Sequence, residues 1–399
     1  MSRFLRYSVE QAYLLPPNVK DVLGEDHLCF FIHRAVEHLD LSKFEDAYGE
    51  EGGALYAPAL MLKVWLYAYA IGLTSARRLE QRMREELGLR YLAGGAEPDN
   101  WALSAFRRRH GRGINDVFTQ VVEMARGLGV GQLGRVAIDA TRVKAWASVD
   151  KVDSQKKLRQ QRARDRRQIR KWQKECAQAE GQEKSQLEIR MKEVEKRLAD
   201  YPRRLERLNK SGEEKLSRTD EEARFLKTRK GFLLGYTGEI AVSEDQLIVG
   251  QRVTQAKTDN DSLLPMIAEV QSQCGELPEN VLGDAGYFSL KNIQDGEGLG
   301  IGMYVPDSNL AHELNTGKRC RRTKLDAVQR RMRQKLRSPA GRWMYGRRKG
   351  MVEPVFGTLK EQRGMRGFRL RGLWKVRNEF GFAVIGFNLT RLFNLGVAL

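Results

Sequence analysis

Three acidic residues sit in apolar or strongly basic surroundings, where a carboxylate is costly. Asp139 lies in the run Arg135-Val-Ala-Ile-Asp-Ala-Thr-Arg142. Asp284 closes Asn280-Val-Leu-Gly-Asp-Ala-Gly-Tyr287, and Glu353 follows Tyr345-Gly-Arg-Arg-Lys-Gly-Met-Val352. A carboxylate in an apolar strand calls for a compensating cation. The chain carries 70 Lys and Arg against 51 Asp and Glu, a formal net charge of +19. The economical reading is a carboxylate cluster that holds divalent metal against a phosphodiester.

Cleavage and strand transfer are in-line displacements at phosphorus. Two divalent ions about 3.5–4 Å apart activate the attacking oxygen and stabilise the leaving one. Magnesium is hard, prefers oxygen and needs few protein carboxylates; manganese is the alternative. In this scheme Asp139 bridges both ions, Asp284 holds one from a strand end, and Glu353 completes the other from a helix. Around Glu353, Val352, Phe356 and Leu359 form an apolar stripe that docks the helix. Lys360 lies two turns on, with Arg347, Arg348 and Lys349 just before. Ordinary structural roles exist for each acid. Glu353 could pair with Lys349 at i−4, Asp139 could cap a loop, and Asp284 could be a turn residue. Rival carboxylates are Asp259 and Asp261, which look like helix caps, and Asp150 and Asp153, which open an insertion. Strands and a docked helix hold ligands more rigidly than loops do.

The elements that must position these residues follow from spacing. Residues 1–130 read as a helical, DNA-binding domain. Stretches 26–39 and 58–71 have apolar residues at helical period, with Pro58 in a first turn. Ser75 can cap the next helix, on a Leu79, Met83, Leu87 stripe. Asn100 can cap a further one, in which Trp101, Leu103 and Phe106 pack and Arg107, Arg108 and Arg109 project, as in a helix-turn-helix-like DNA reader. Residues 131–399 read as the catalytic domain. Its first strand spans 134–145, and a basic helical hairpin interrupts it at about 151–228. Residues 151–230 hold 26 Lys and Arg against 15 Asp and Glu. Leu187, Met191, Val194, Leu198, Tyr201, Leu205 and Leu208 alternate at four and three, a heptad seam. A helix at about 156–179 precedes it, Gly181 turns the chain, and a bend is expected near Pro202. The hairpin is either a solvated spacer or an arm that clamps or dimerises on DNA. Strands at 231–242 and 246–254 form an antiparallel hairpin. A helix at 261–271, a strand at 279–284, a helix at 290–295 and a strand at 300–305 follow. Helices at 353–362, with Pro354 in its first turn, and at 380–393 complete the order. That order specifies an α/β mixed sheet flanked by helices.

Composition sets the outer bounds. At 41% hydrophobic the chain supports a real core, and its excess of cations points to nucleic acid before membrane. The longest apolar stretch, 380–395, is broken by Asn388, Arg391 and Asn394 and is short of the roughly 20 residues a span needs. The first seven residues carry no apolar signal. Cys29, Cys176, Cys274 and Cys320 form no Cys-x-x-Cys pair, which fits a reducing cytosol. His33 and His38 read as packed or surface residues.

At these motifs the chain resembles the DDE transposases of bacterial insertion sequences, in the group with an InsH-type helical N-terminal domain. The segments that carry the resemblance are 98–110, 137–145, 283–289 and 352–360, with 219–224 and 235–242 between them. The resemblance implies an RNase H-like catalytic domain and a magnesium-dependent reaction on terminal inverted repeats and target DNA. It makes Asp139, Asp284 and Glu353 the metal-binding triad. Tyr345, Arg348 and Lys360 correspond to a Tyr-Arg-Glu-Lys signature, with Lys360 against DNA near the cleaved end. Four residues separate Arg348 from Glu353 where three are usual, and Lys349 has the expected spacing. The expected activity is hydrolysis at the element ends followed by attack of the 3′-hydroxyl on target DNA. A nuclease without strand transfer and an inactive DNA-binding protein are the alternatives. Synapsis of two ends suggests a homodimer, and the compartment expected is the cytoplasm, at the nucleoid.

Overall fold

A computed structural model describes residues 18–46, 56–229, 231–318 and 325–398. The first seven residues and Cys320, on which two of the readings above rest, lie outside these. Among the described residues the N-terminal part is helical throughout. Pro58 opens α1 (Pro58–Ala70), which is buried along ten of its residues from Met61 to Ala70. Ser75 precedes the helix Ala76–Glu85 but makes no capping hydrogen bond. α2 (Asn100–Arg109) is capped one residue earlier than expected: Asp99 accepts from the Ala102 N–H at 2.7 Å. Asn100 instead donates to Glu80. Leu103 and Phe106 are buried, whereas Trp101 is exposed. α3 (Gly111–Gly127) follows.

The sheet starts with β1 (Val136–Lys144). A small ladder, β2 (Val152–Ser154) with β3 (Lys215–Ser217), then brackets a helical hairpin of α4 (Gln155–Cys176) and α5 (Gly181–Ser211). Gly181 takes φ +60°, as the turn between two helices requires. Leu187, Val194, Tyr201 and Leu208 are buried at a strict interval of seven, with Met191, Leu198 and Leu205 half-buried between them. The seam closes on the hairpin's own partner helix, through Leu158 and Ile169. β4 (Arg224–Thr228) falls inside the expected insertion but belongs to the main sheet, paired with β5 (Gly231–Ser243). β6 (Ile248–Thr254) also pairs β5, antiparallel. α6 (Leu263–Cys274) leads to β7 (Asn280–Leu282), and β8 (Gly302–Tyr304) is the far edge. The order is β4-β5-β1-β7-β8. β1 runs antiparallel to β5 and parallel to β7, so the sheet is mixed as expected.

α7 (Pro339–Gly357) starts fourteen residues before the expected helix, so Pro354 is interior rather than first-turn. A proline there leaves the carbonyl four residues back without its donor. That carbonyl, of Gly350, instead accepts from the Gln246 side chain at 3.0 Å. A π-helical turn over Thr358–Gln362 follows. α8 (Leu373–Asn394) is buried on nearly every side. Phe382 stacks on Tyr69 of α1 at 5.8 Å, and the Asn388 amide bonds both backbone groups of Ile248 in β6. One apolar core therefore runs from the N-terminal helices through the sheet, without a break at residue 130. No described helix is long and apolar enough to cross a membrane.

Candidate active site

β1 carries Asp139 at the centre of the sheet because Val136, Ala137 and Ile138 before it are fully buried. The parallel register pairs Val136 with Val281 and Ala137 with Leu282. Carried two residues past the end of β7, that register directs Asp284 toward Asp139, whose carboxyl feels the Asp284 charge. β7 ends before Asp284, whose carboxylate accepts from the Gly286 N–H at 2.8 Å and caps a short turn. α7 packs across β1 and β7 on this face. From it Arg348, only 8% exposed, reaches the Asp139 Oδ2 at 3.1 Å. The other Asp139 oxygen accepts the Ala140 N–H.

The electrostatics follow from this arrangement. Burial pushes the Asp139 carboxyl up to about 6; Arg348 pulls it down and the Asp284 carboxylate raises it further. Tyr345, one turn before Arg348, bonds to it and is raised, by burial first. Burial lowers the Lys360 ammonium, against the pull of Glu361 and Asp139. The Nε of Arg348 is buried with no partner among the described residues, so the guanidinium is not fully matched where it sits.

A second polar set holds Asp259, named above as a rival carboxylate, together with Arg142, Glu239 and Tyr287, which the sequence reading did not single out. Arg142 bonds Thr237 at 2.7 Å and Asp259 at 2.9 Å. Asp259 is therefore an ion-pair partner rather than a helix cap. Glu239, fully buried in β5, accepts from Ser262 and Thr254, and burial raises its carboxyl. The buried Tyr287 hydroxyl has no partner among the described residues; burial raises it well above its ordinary value, with Asp259, Asp139, Glu239 and Asp284 adding to the rise. The signal available in sequence was Tyr287 itself, three residues past Asp284.

Several expected site residues lie elsewhere. Glu353 is exposed. It follows Arg348 by five positions, roughly 140° around the helix, and Arg348 takes the inward direction. Among the described residues, no three His, Cys, Asp or Glu side chains group so as to hold a metal ion. Asp139 and Asp284 fit a hard cation by donor chemistry, although Arg348 is paired with Asp139 in this structure; Glu353 as placed does not join them. Lys349 is exposed and within 3.4 Å of Asn315. Arg107 is a correction. It is 3% exposed, donates to Tyr69 and to the Thr74 carbonyl, and pairs with Glu379 at 3.8 Å, so it cannot reach DNA. Arg108 is half-buried and Arg109 exposed.

Two family models match the chain. Residues 17–109 match the model described as a transposase domain (DUF772), and residues 314–393 match that of a transposase DDE domain. The first covers Arg107 to Arg109. The second covers Tyr345, Arg348, Lys349, Glu353 and Lys360 and stops short of Asp139 and Asp284. Comparison with curated proteins and with solved structures gave no match.

Proposed function

We propose, for a chain that belongs to the DDE transposases of insertion sequences, metal-dependent cutting of the element's ends and joining of the freed 3′-hydroxyl to target DNA. The observation that carries this reading is the parallel register of β1 and β7, which directs Asp139, on β1, and Asp284, just past the end of β7, toward one another, with a buried arginine seated on Asp139. Asp139 and Asp284 would hold magnesium, or manganese, ions; Glu353, exposed and turned away from them in this structure, would have to turn inward to complete the set. When bound, the ions stabilise charge on the attacking and leaving oxygens of an in-line displacement. The protein supplies the rest. The sheet fixes Asp139 on β1 and directs Asp284 from the end of β7. Arg348 balances the Asp139 carboxylate when no cation does. Tyr345, which bonds to Arg348, and Lys360 would position the scissile strand. Lys349, Arg108 and Arg109 would contact DNA from outside it, and binding of two ends would pair two copies of the chain.

The test is a reaction of purified protein with labelled element-end DNA and magnesium. Joined products are expected. Nicks without joining would reduce the activity to that of a nuclease, and intact shifted DNA to that of a binder. Asp139→Asn should abolish cutting and retain end binding. Cutting at the wild-type rate by that variant would remove the aspartates from the chemistry.

A further inference from the structure

The hairpin's two helices are not alike. α4 carries ten Lys and Arg against two Asp and Glu, whereas α5 carries nine against six. On α4 the packed residues Leu158, Ile169 and the half-buried Trp172 and Cys176 lie along one stripe. At helical period one flank, from about 80° to 180° away from that stripe, holds Lys156, Arg159, Arg166, Arg167, Arg170 and Lys174, all exposed. None of these six forms an ion pair among the described residues. The acids of α4 are spent: Asp165 bonds Tyr201 and Arg197 of α5, and Glu175 pairs with Lys171. α4 thus presents a cationic face with no counter-charge, while its apolar face is used up inside the hairpin.

The arm is also firmly rooted. Asp153 of β2 takes a bidentate contact from Arg204 of α5, with Nε at 2.9 Å, and both are nearly buried. At the foot of the arm lies a cleft lined by Lys144, Lys151, Arg366, Arg369 and Arg371 around the exposed indole of Trp146, with no carboxylate in its lining. Arg369 lies over that indole at 5.0 Å. Lys144 ends β1, the strand that carries Asp139. The cations of the cleft therefore lie between the end of β1 and the root of the arm. α4 is roughly 33 Å long, about one turn of duplex.

The geometry points to α4 as a duplex-DNA rail: its outer face tracks the phosphates of about one turn of DNA adjoining the cleavage point, with α5 as its brace. This rests on the transposase reading for the identity of the DNA. A rail of phosphate contacts adds affinity without sequence preference, and its contribution scales with salt.

The test uses the full chain, with Arg159, Arg166, Arg170 and Lys174 all changed to Gln, a residue that keeps helix propensity. A control carries Lys184, Arg190, Lys192 and Lys196 of α5 changed to Gln, the same loss of charge. Binding is measured across salt on end duplexes with and without about one extra turn of flanking DNA. On the longer duplex the α4 variant should lose about 2–4 units from the slope of log affinity against log salt. The control, and either variant on the short duplex, should match wild type. Equal slopes overturn the rail, as does an α5 control that loses as much. Loss of binding to phosphatidylserine vesicles with DNA binding unchanged overturns it in favour of a membrane surface. Wild-type cutting and joining are scored separately. Absent products with the slope effect intact sink the transposase chemistry alone; normal joining with equal slopes sinks the rail alone.

Discussion

Arg107 sits inside the protein and Arg109 outside it, although both close the same basic helix. Three consecutive arginines give no clue to which one turns inward; that depends on where Glu379 of α8 lies, 272 residues along the chain from Arg107. Removing one partner of a buried pair leaves the other charge stranded, at a cost of about 3–5 kcal/mol. Arg107→Met should therefore lower thermal stability by that order without a selective effect on end DNA. Arg109→Gln should weaken end binding, and unchanged DNA affinity in that variant would withdraw it from the interface. The neighbouring His110 is 3% exposed between Phe44 and Phe106. Burial, with Arg109 adding, lowers its imidazole to about 4. The unfolded chain protonates it near the usual 6.5. The unfolded state then binds more protons than the folded one between those values, so stability is complete above about 6.5 and is lost as pH falls toward 4, by up to about 3 kcal/mol. His110→Phe keeps the ring packing and cannot titrate. The stability of wild type relative to this variant should fall across that window in denaturant melts. A difference that stays flat with pH would refute the account.

Elements were legible where their signal was periodic. The seven-residue interval of the hairpin seam needs only apolar side chains at a fixed spacing, and Leu187, Val194, Tyr201 and Leu208 are buried at that spacing. Asp139 and Asp284 were legible for a similar reason, each following a short apolar run that had to be a buried strand. What was lost depends on contacts between distant segments. Pro354 reads as the start of a helix because an interior proline costs a hydrogen bond; the Gln246 amide that replaces that bond comes from a turn 108 residues earlier in the chain. The inward turn of Arg348, and with it the outward turn of Glu353, depends on how α7 lies across β1. Gln246→Ala should destabilise the protein by about 1 kcal/mol, and protection of the Gly350 region against hydrogen exchange should fall with it. Unaltered exchange there would mean that water satisfies the carbonyl. The hairpin has its own small core of Leu158, Tyr201, Leu208 and Leu216, separate from the main one. Leu208→Ala should cost about 2–5 kcal/mol and speed exchange in α4 and α5, while exchange in β1 and β5 stays as in wild type.

At the scale of the molecule, the division expected at residue 130 meets a helix that serves both sides of it. α8 is apolar almost all round because it is covered twice. α1 and α3 pack on one side of it and β6 on another. Phe380, Phe382, Ile385 and Leu389 are at most 2% exposed only while both coverings are present. Covering each such side chain is worth about 1.5–3 kcal/mol, against a typical net stability of about 5–15 kcal/mol for a whole domain. Arg107 adds a charge penalty, since without α2 the buried Glu379 has no arginine partner. A chain beginning at residue 131 should therefore fail to fold: expressed alone it should aggregate or bind a hydrophobic dye, and supplying residues 1–130 in trans should restore soluble material. The intact chain should melt its main core in one cooperative step that includes α1 and β1 together, read by probes placed in each. A 131–399 fragment that purifies as a soluble monomer with a sharp melt would show that α8 finds its cover within the sheet alone.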